Sequence, residues 1–90
     1  MSSAVHLIAR GRVQGVWFRA GTQEQALKSG VCGWVKNCRD GSVEIHAEAE
    51  KKALEWFIGW CRKGSPAAEV SALEIEWISP QGFSAFEIRR

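Results

Sequence analysis

Between Gly11 and Gly21 the chain reads GRVQGVWFRAG, placing three glycines, two arginines and the start of a helical pattern within one short stretch. Backbone N–H groups in a glycine-bearing loop and in the first turn of a helix have no intrahelical acceptor, and the helix dipole adds partial positive charge there. Arg19 contributes a full charge and a planar fork of donors that matches phosphate oxygens. The residue types therefore describe an anion site. They do not describe a nucleotide P-loop, because no Lys-Ser or Lys-Thr follows the glycine, and neither a nucleotide nor its magnesium is implied.

The elements that must position this junction follow from periodicity. Residues 4–10 (AVHLIAR) read as a first strand, and a helix runs from Phe18 to Ser29, with Ala26 and Leu27 continuing the apolar stripe begun by Phe18 and Thr22. Gly30 suits the left-handed position after its end. A second strand spans 31–38. In the third, 42–50, Val43, Ile45 and Ala47 alternate with Glu44, His46 and Glu48, the pattern of a half-buried strand. Residues 51–63 form an amphipathic helix that turns Ala53, Leu54, Phe57, Ile58 and Cys61 to the core and stops at Gly64 and Pro66. A fourth strand covers 70–79, with a break near Ala72 that fits a bulge, and FSAFEIR makes a short last strand after the Pro80–Gly82 turn. This order predicts an α+β, ferredoxin-like split βαβ sandwich: two helices on one face of a mostly antiparallel sheet of four to five strands.

Within that fold the central hairpin selects its own register. A two-residue turn at Asp40 and Gly41 would put Lys36 on the buried face with Ile45. A three-residue loop, Arg39–Gly41 with Gly41 left-handed, instead pairs Cys38 with Ser42, Val35 with Ile45 and Lys36 with Glu44. Asn37 then lies beside Val43 on the helix-covered side, and Trp34 and Cys38 point the other way. The first helix carries the chain about 16 Å from the glycine loop, and the strand from Val31 to Asn37 returns it by about 20 Å. Arg19 and Asn37 are thus expected on one rim, as a guanidinium and a carboxamide beside a backbone anion nest.

These residues also carry a resemblance. GRVQGVWFR at 11–19 and GWVKNCRDGSV at 33–43 look like the two signature motifs of the acylphosphatase family, and Gly64, Pro66, Ala68, Val70 and the terminal FEIR fit its pattern, so the likeness covers nearly the whole chain. The resemblance implies hydrolysis of a carboxyl-phosphate anhydride to a carboxylate and inorganic phosphate, with no cofactor, no metal and no covalent intermediate. It implies that Arg19 binds the phosphoryl group and Asn37 holds the attacking water. Gln14, Gly15, Val16, Trp17 and Phe18 would supply loop N–H groups to the substrate phosphate. Two positions depart from the family: Ala9 replaces a larger aliphatic residue, and Ala49 replaces a glycine at the entry to the second helix, where alanine tolerates positive φ poorly.

Composition bounds the alternatives. Ninety residues, 46% hydrophobic and 24% charged, suit a single globular domain over residues 1–90. A net charge of +2, with basic residues scattered among acids, does not call for a nucleic-acid partner. The fold order also builds RNA-binding domains, in which Trp34 could stack a base, yet Glu44, Glu48, Glu74 and Glu76 would repel a phosphate backbone. A non-catalytic anion-sensing module is a third reading, since acylphosphatase-like domains also occur inside larger maturation proteins. No leader or long apolar span is seen, so the expectation is a cytoplasmic monomer with a small acyl phosphate as its partner and no membrane contact. His6 and His46 lack metal-ligand spacing and are read as structural or solvated, and Cys32, Cys38 and Cys61 match neither a zinc nor a redox motif and are read as buried or idle thiols.

Overall fold

The computed structural model describes residues 2–90. The order is β1 (Ser3–Arg12), α1 (Phe18–Ser29), β2 (Cys32–Asn37), β3 (Val43–Ala49), α2 (Lys51–Lys63), β4 (Glu69–Ile78) and β5 (Phe86–Arg89). The strands form one open sheet in the order β4-β1-β3-β2-β5, antiparallel except for the parallel β2–β5 pair. This is the predicted α+β sandwich in its five-stranded form.

Alternation along the strands sends Val5, Leu7 and Ala9 of β1, Val35 of β2 and Val43, Ile45 and Ala47 of β3 into one core with Leu54, Phe57 and Ile58 of α2. Helix α1 buries Phe18, Thr22 and Ala26, a row at four-residue spacing. Leu27 was expected on that stripe and is instead 69% exposed, because it lies one residue around the helix from Ala26 and the narrow contact with the sheet is already filled. Gly30 ends the helix in the left-handed conformation, as its position suggested.

The hairpin register agrees with the reading from charge and burial. Val35 pairs with Ile45, Lys36 with Glu44 and Asn37 with Val43, and the Cys38 N–H donates to the Ser42 carbonyl. The bulge expected near Ala72 is there too: Arg10 opposes Ala72 and Gly11 opposes Val70, leaving Ser71 as the extra residue of β4. Ala49 raises no strain at the entry to α2, since Trp17 is the one described non-glycine residue with positive φ.

Two expectations fail on the face away from the helices. Residues 83–85 are not part of the last strand, which begins at Phe86. They belong to a segment that folds over His46 and Glu48, so these outward-facing residues of β3 are 2% and 6% exposed rather than solvated. Glu48 accepts the backbone N–H groups of Gln81, Gly82 and Phe83, and its carboxylate sits 2.7 Å from Nε2 of His46. The His46 ring stacks on Trp34 and tilts against Phe83. Burial by itself pushes the Glu48 carboxyl up. The Gln81 N–H, the His46 ring and the N–H groups of Gly82 and Phe83 outweigh that and lower it to about 2.

Candidate active site

The site is the junction where β1 runs out and α1 begins. Val13 and Val16 drop their side chains into the core and so fix both ends of a short loop. Between them Gly15 takes φ 73°, a left-handed conformation that costs glycine nothing. Trp17 takes φ 65°, ψ 21° at the helix N-cap, where a bulky residue is an outlier at a cost of roughly 1–3 kcal/mol. Its ring is not repaid by burial, being 81% exposed.

Contacts from three other elements hold the loop in that shape. The hydroxyl of buried Ser65 donates to the Val16 carbonyl at 2.6 Å. Phe18 seals the first turn of α1 against Trp60, with ring centroids 5.7 Å apart. Gln14 turns its carboxamide to the hairpin, where Nε2 donates to the Cys38 carbonyl at 2.7 Å and to the Ser42 carbonyl at 2.9 Å. The loop before Arg19 is therefore tied to the turn after Asn37. That turn is itself held by Asp40, whose Oδ1 accepts the Ser42 N–H and hydroxyl, hydrogen bonds that lower the Asp40 carboxyl below its ordinary range.

Across this tie lies an open cavity of about 360 Å³. Gly15, Trp17, Phe18, Arg19 and Ala20 line it from the loop and helix start, and Asn37 lines it from the end of β2. Val13 and, from β5, Ile88 supply apolar wall. Arg19 and Asn37 thus meet at one cavity, as the helix and strand lengths required. No ion pair among the described residues engages Arg19. Oδ1 of Asn37 is buried without a hydrogen-bond partner, which costs about 1–3 kcal/mol for a buried acceptor.

Of the residues proposed to hold phosphate, Gln14 and Val16 do not line the cavity: the Gln14 side chain serves the hairpin and the Val16 side chain the core. Any contribution they make is through backbone N–H groups. Ile88 was not foreseen as part of the site, because its place depends on the parallel pairing of β5 with β2, for which a four-residue strand gives no local signal. The cavity lining contains no His, Cys, Asp or Glu, and no group of three or more such side chains among the described residues could hold a metal ion. Cys32, Cys38 and Cys61 are free thiols, and burial pushes the Cys61 thiol up.

Comparison with known proteins gives this geometry a family. The family described as Acylphosphatase matches residues 5–88. An acylphosphatase from a Synechococcus species is 51% identical over 85 residues, 94% of this chain and 90% of that protein. One from Gloeobacter violaceus is 46% identical over 92 residues, covering 100% of this chain and 99% of its own. The crystal structure of acylphosphatase from Bacillus subtilis superposes with a TM-score of 0.95 at 40% identity, over 100% of both chains. The fold, the loop and helix junction and the sequence agree from end to end, and the chain belongs to the acylphosphatase family of hydrolases.

Proposed function

We propose that residues 1–90 act as one acylphosphatase-like domain that hydrolyses acyl phosphates by direct attack of water, with Arg19 and the preceding loop holding the phosphoryl group and Asn37 holding the water. The observation that carries this reading is the shared cavity: among the described residues the guanidinium in its lining has no ion-pair partner, and Oδ1 of the carboxamide is buried without a hydrogen-bond partner. A guanidinium and the N–H groups between Gln14 and Phe18 suit three equatorial phosphoryl oxygens. The Asn37 amide can accept from water through its carbonyl and donate to a phosphoryl oxygen through its NH₂.

The chemistry needs little else. Water oxygen bonds to phosphorus as the bond from phosphorus to the acyl oxygen breaks, and the electron pair leaves on a carboxylate. The conjugate acid of that leaving group has a pKa near about 4, by analogy with Asp and Glu, so no general acid is required at neutral pH. A neutral amide is not a base, and the proton from water passes to an oxygen of the departing phosphate. What the protein supplies is alignment of water and phosphorus and compensation of charge on the equatorial oxygens.

In this reading a small acyl phosphate is the partner and inorganic phosphate the product, with no cofactor, metal, nucleic acid or membrane, and the chain works as a monomer. Free thiols suit a reducing, cytoplasmic setting. Among the described residues no helix is long and apolar enough to cross a membrane. The test is release of acetate and inorganic phosphate from acetyl phosphate in the presence of a metal chelator, beside single-stranded RNA binding under the same conditions. Turnover with chelator and no RNA binding is expected. RNA binding without turnover, or turnover abolished by the chelator and restored by a metal, would overturn the reading.

A further inference from the structure

The cavity is larger than its phosphate-holding part. About 360 Å³ falls near the lower end of the range for small-molecule sites, whereas a phosphate with four oxygens displaces only a few times the roughly 30 Å³ of a water molecule. The remaining lining is apolar and comes from two directions. On one side stands Trp17, whose ring is held out to solvent by the left-handed N-cap. On the other stands Ile88. Register fixes the orientation of the second: Ile88 pairs with Val35 in the parallel β2–β5 ladder, so it lies on the same face as Val35 and Asn37, one strand over. Its strand neighbour on that face, Phe86, is buried against Phe57, but Ile88 lies beyond that packing and is 39% exposed.

We propose that Trp17 and Ile88 form an acyl subsite that selects acyl phosphates with an uncharged, apolar acyl group, aromatic ones above all. The proposal rests on the catalytic reading given above and adds the class of substrate. Charge decides against a dicarboxylic acyl group. Arg19 is the one charged residue in the lining and is committed to the phosphoryl oxygens, so a second carboxylate would find no cation there. Geometry decides for an aromatic group. A phenyl ring can pair with the exposed Trp17 indole in the offset or edge-to-face arrangements that aromatic rings favour, and Ile88 adds aliphatic contact. Two large apolar side chains left in water at the mouth of one cavity gain burial when such a group enters.

The test compares acetyl, benzoyl and succinyl phosphates in the wild-type chain and in Ile88→Ser, with Trp17→Ala as a second variant. Each variant is read against the wild type on each substrate, so differences in intrinsic reactivity cancel. Ile88→Ser is expected to lower kcat/KM for benzoyl phosphate by about 10-fold, the scale on which a small apolar contact discriminates substrates, and to lower acetyl phosphate far less, with the thermal midpoint near that of the wild type. Trp17→Ala should lower benzoyl phosphate more than acetyl phosphate, and succinyl phosphate should be the poorest of the three in the wild type. An equal loss on benzoyl and acetyl phosphates in both variants, or a preference for succinyl phosphate, would overturn the subsite while leaving the catalytic reading intact. Failure of the wild type to hydrolyse acetyl phosphate at all would overturn the catalytic reading and the subsite with it.

Discussion

The β2–β3 hairpin carries a polar cluster on each face, and the two have opposite characters. On the face away from the helices, Glu48 collects three backbone N–H groups and His46, whose ring lies between Trp34 and Phe83. On the helix side, Arg19 and Asn37 share a cavity, no ion pair engages Arg19 among the described residues, and the Asn37 carbonyl is buried without a partner. Buried polar atoms are costly unless paired, so a cluster that completes its own hydrogen bonds adds stability. One that leaves them open is destabilising until a ligand completes it. The pair of clusters separates what holds the fold from what the fold holds out to a substrate.

That contrast is broken most directly at Arg19. Replacing it with alanine removes the one charged group in the cavity lining, and kcat/KM for acetyl phosphate is expected to fall by more than about 100-fold, the scale for deleting one oriented donor. No ion pair among the described residues is lost with its guanidinium, so the thermal midpoint should stay near that of the wild type. Full activity in Arg19→Ala ends the assignment. Asn37→Ala should come next, with kcat reduced by more than about tenfold and inhibition by inorganic phosphate retained, because the amide is assigned to water rather than to the phosphoryl group. Its stability should be unchanged or higher, since the substitution removes an acceptor that is already unsatisfied. An unchanged kcat with weaker phosphate inhibition would reverse the two roles.

Glu48→Gln sharpens the comparison from the other face. It exchanges a charged acceptor of three N–H groups for a neutral amide, and a loss of about 1–3 kcal/mol in stability is expected while turnover on acetyl phosphate persists. The pH dependence follows from the sign of the shift. The folded carboxyl is lowered to about 2 from its ordinary value of 4.5, so the unfolded chain binds the extra proton first. The stabilisation is complete above pH 4.5 and is lost as the pH falls from there towards 2. Thermal midpoints measured across that interval should drop less steeply in Glu48→Gln than in the wild type. Parallel slopes in the two proteins would show that the clasp contributes nothing as an ion.

Much of the site was legible because it depends on local rules. The pairing of Lys36 with Glu44 and the left-handed demand at Gly41 selected one hairpin register, and that register put Asn37 on the helix side. The lengths of α1 and β2 then returned the chain to Arg19. What could not be read depends on partners distant in sequence or on bare backbone. The Glu48 clasp is built from three main-chain N–H groups, which no side-chain pattern marks, so His46 and Glu48 looked solvated and Phe83–Ala85 looked like strand. The same blindness hid Ile88, whose role depends on which edge of the sheet β5 joins. Leu27 failed for a related reason, since helical spacing gives the direction of a side chain but not how far the opposing sheet extends.

The smallest effect is expected at the residue next to Asn37. Cys38 adjoins the proposed water-binding amide in sequence, and its own carbonyl accepts from Gln14, so its backbone helps to hold the site together. Its side chain follows the strand alternation to the other face, where Sγ lies 3.9 Å from Oε1 of Glu44, a carboxylate that also meets His6 and Lys36. Hydrogen bonding to His6 and, less strongly, the charge of Lys36 lower the Glu44 carboxyl against the pull of partial burial, so the thiol lies beside an anionic carboxylate on the face away from the cavity. Treatment with iodoacetamide should therefore leave turnover of acetyl phosphate largely intact even where Cys38 is labelled. Strong inactivation in step with labelling at Cys38, with Cys32 and Cys61 unmodified, would mean that this side chain reaches the catalytic face and that the two clusters are not divided by the sheet.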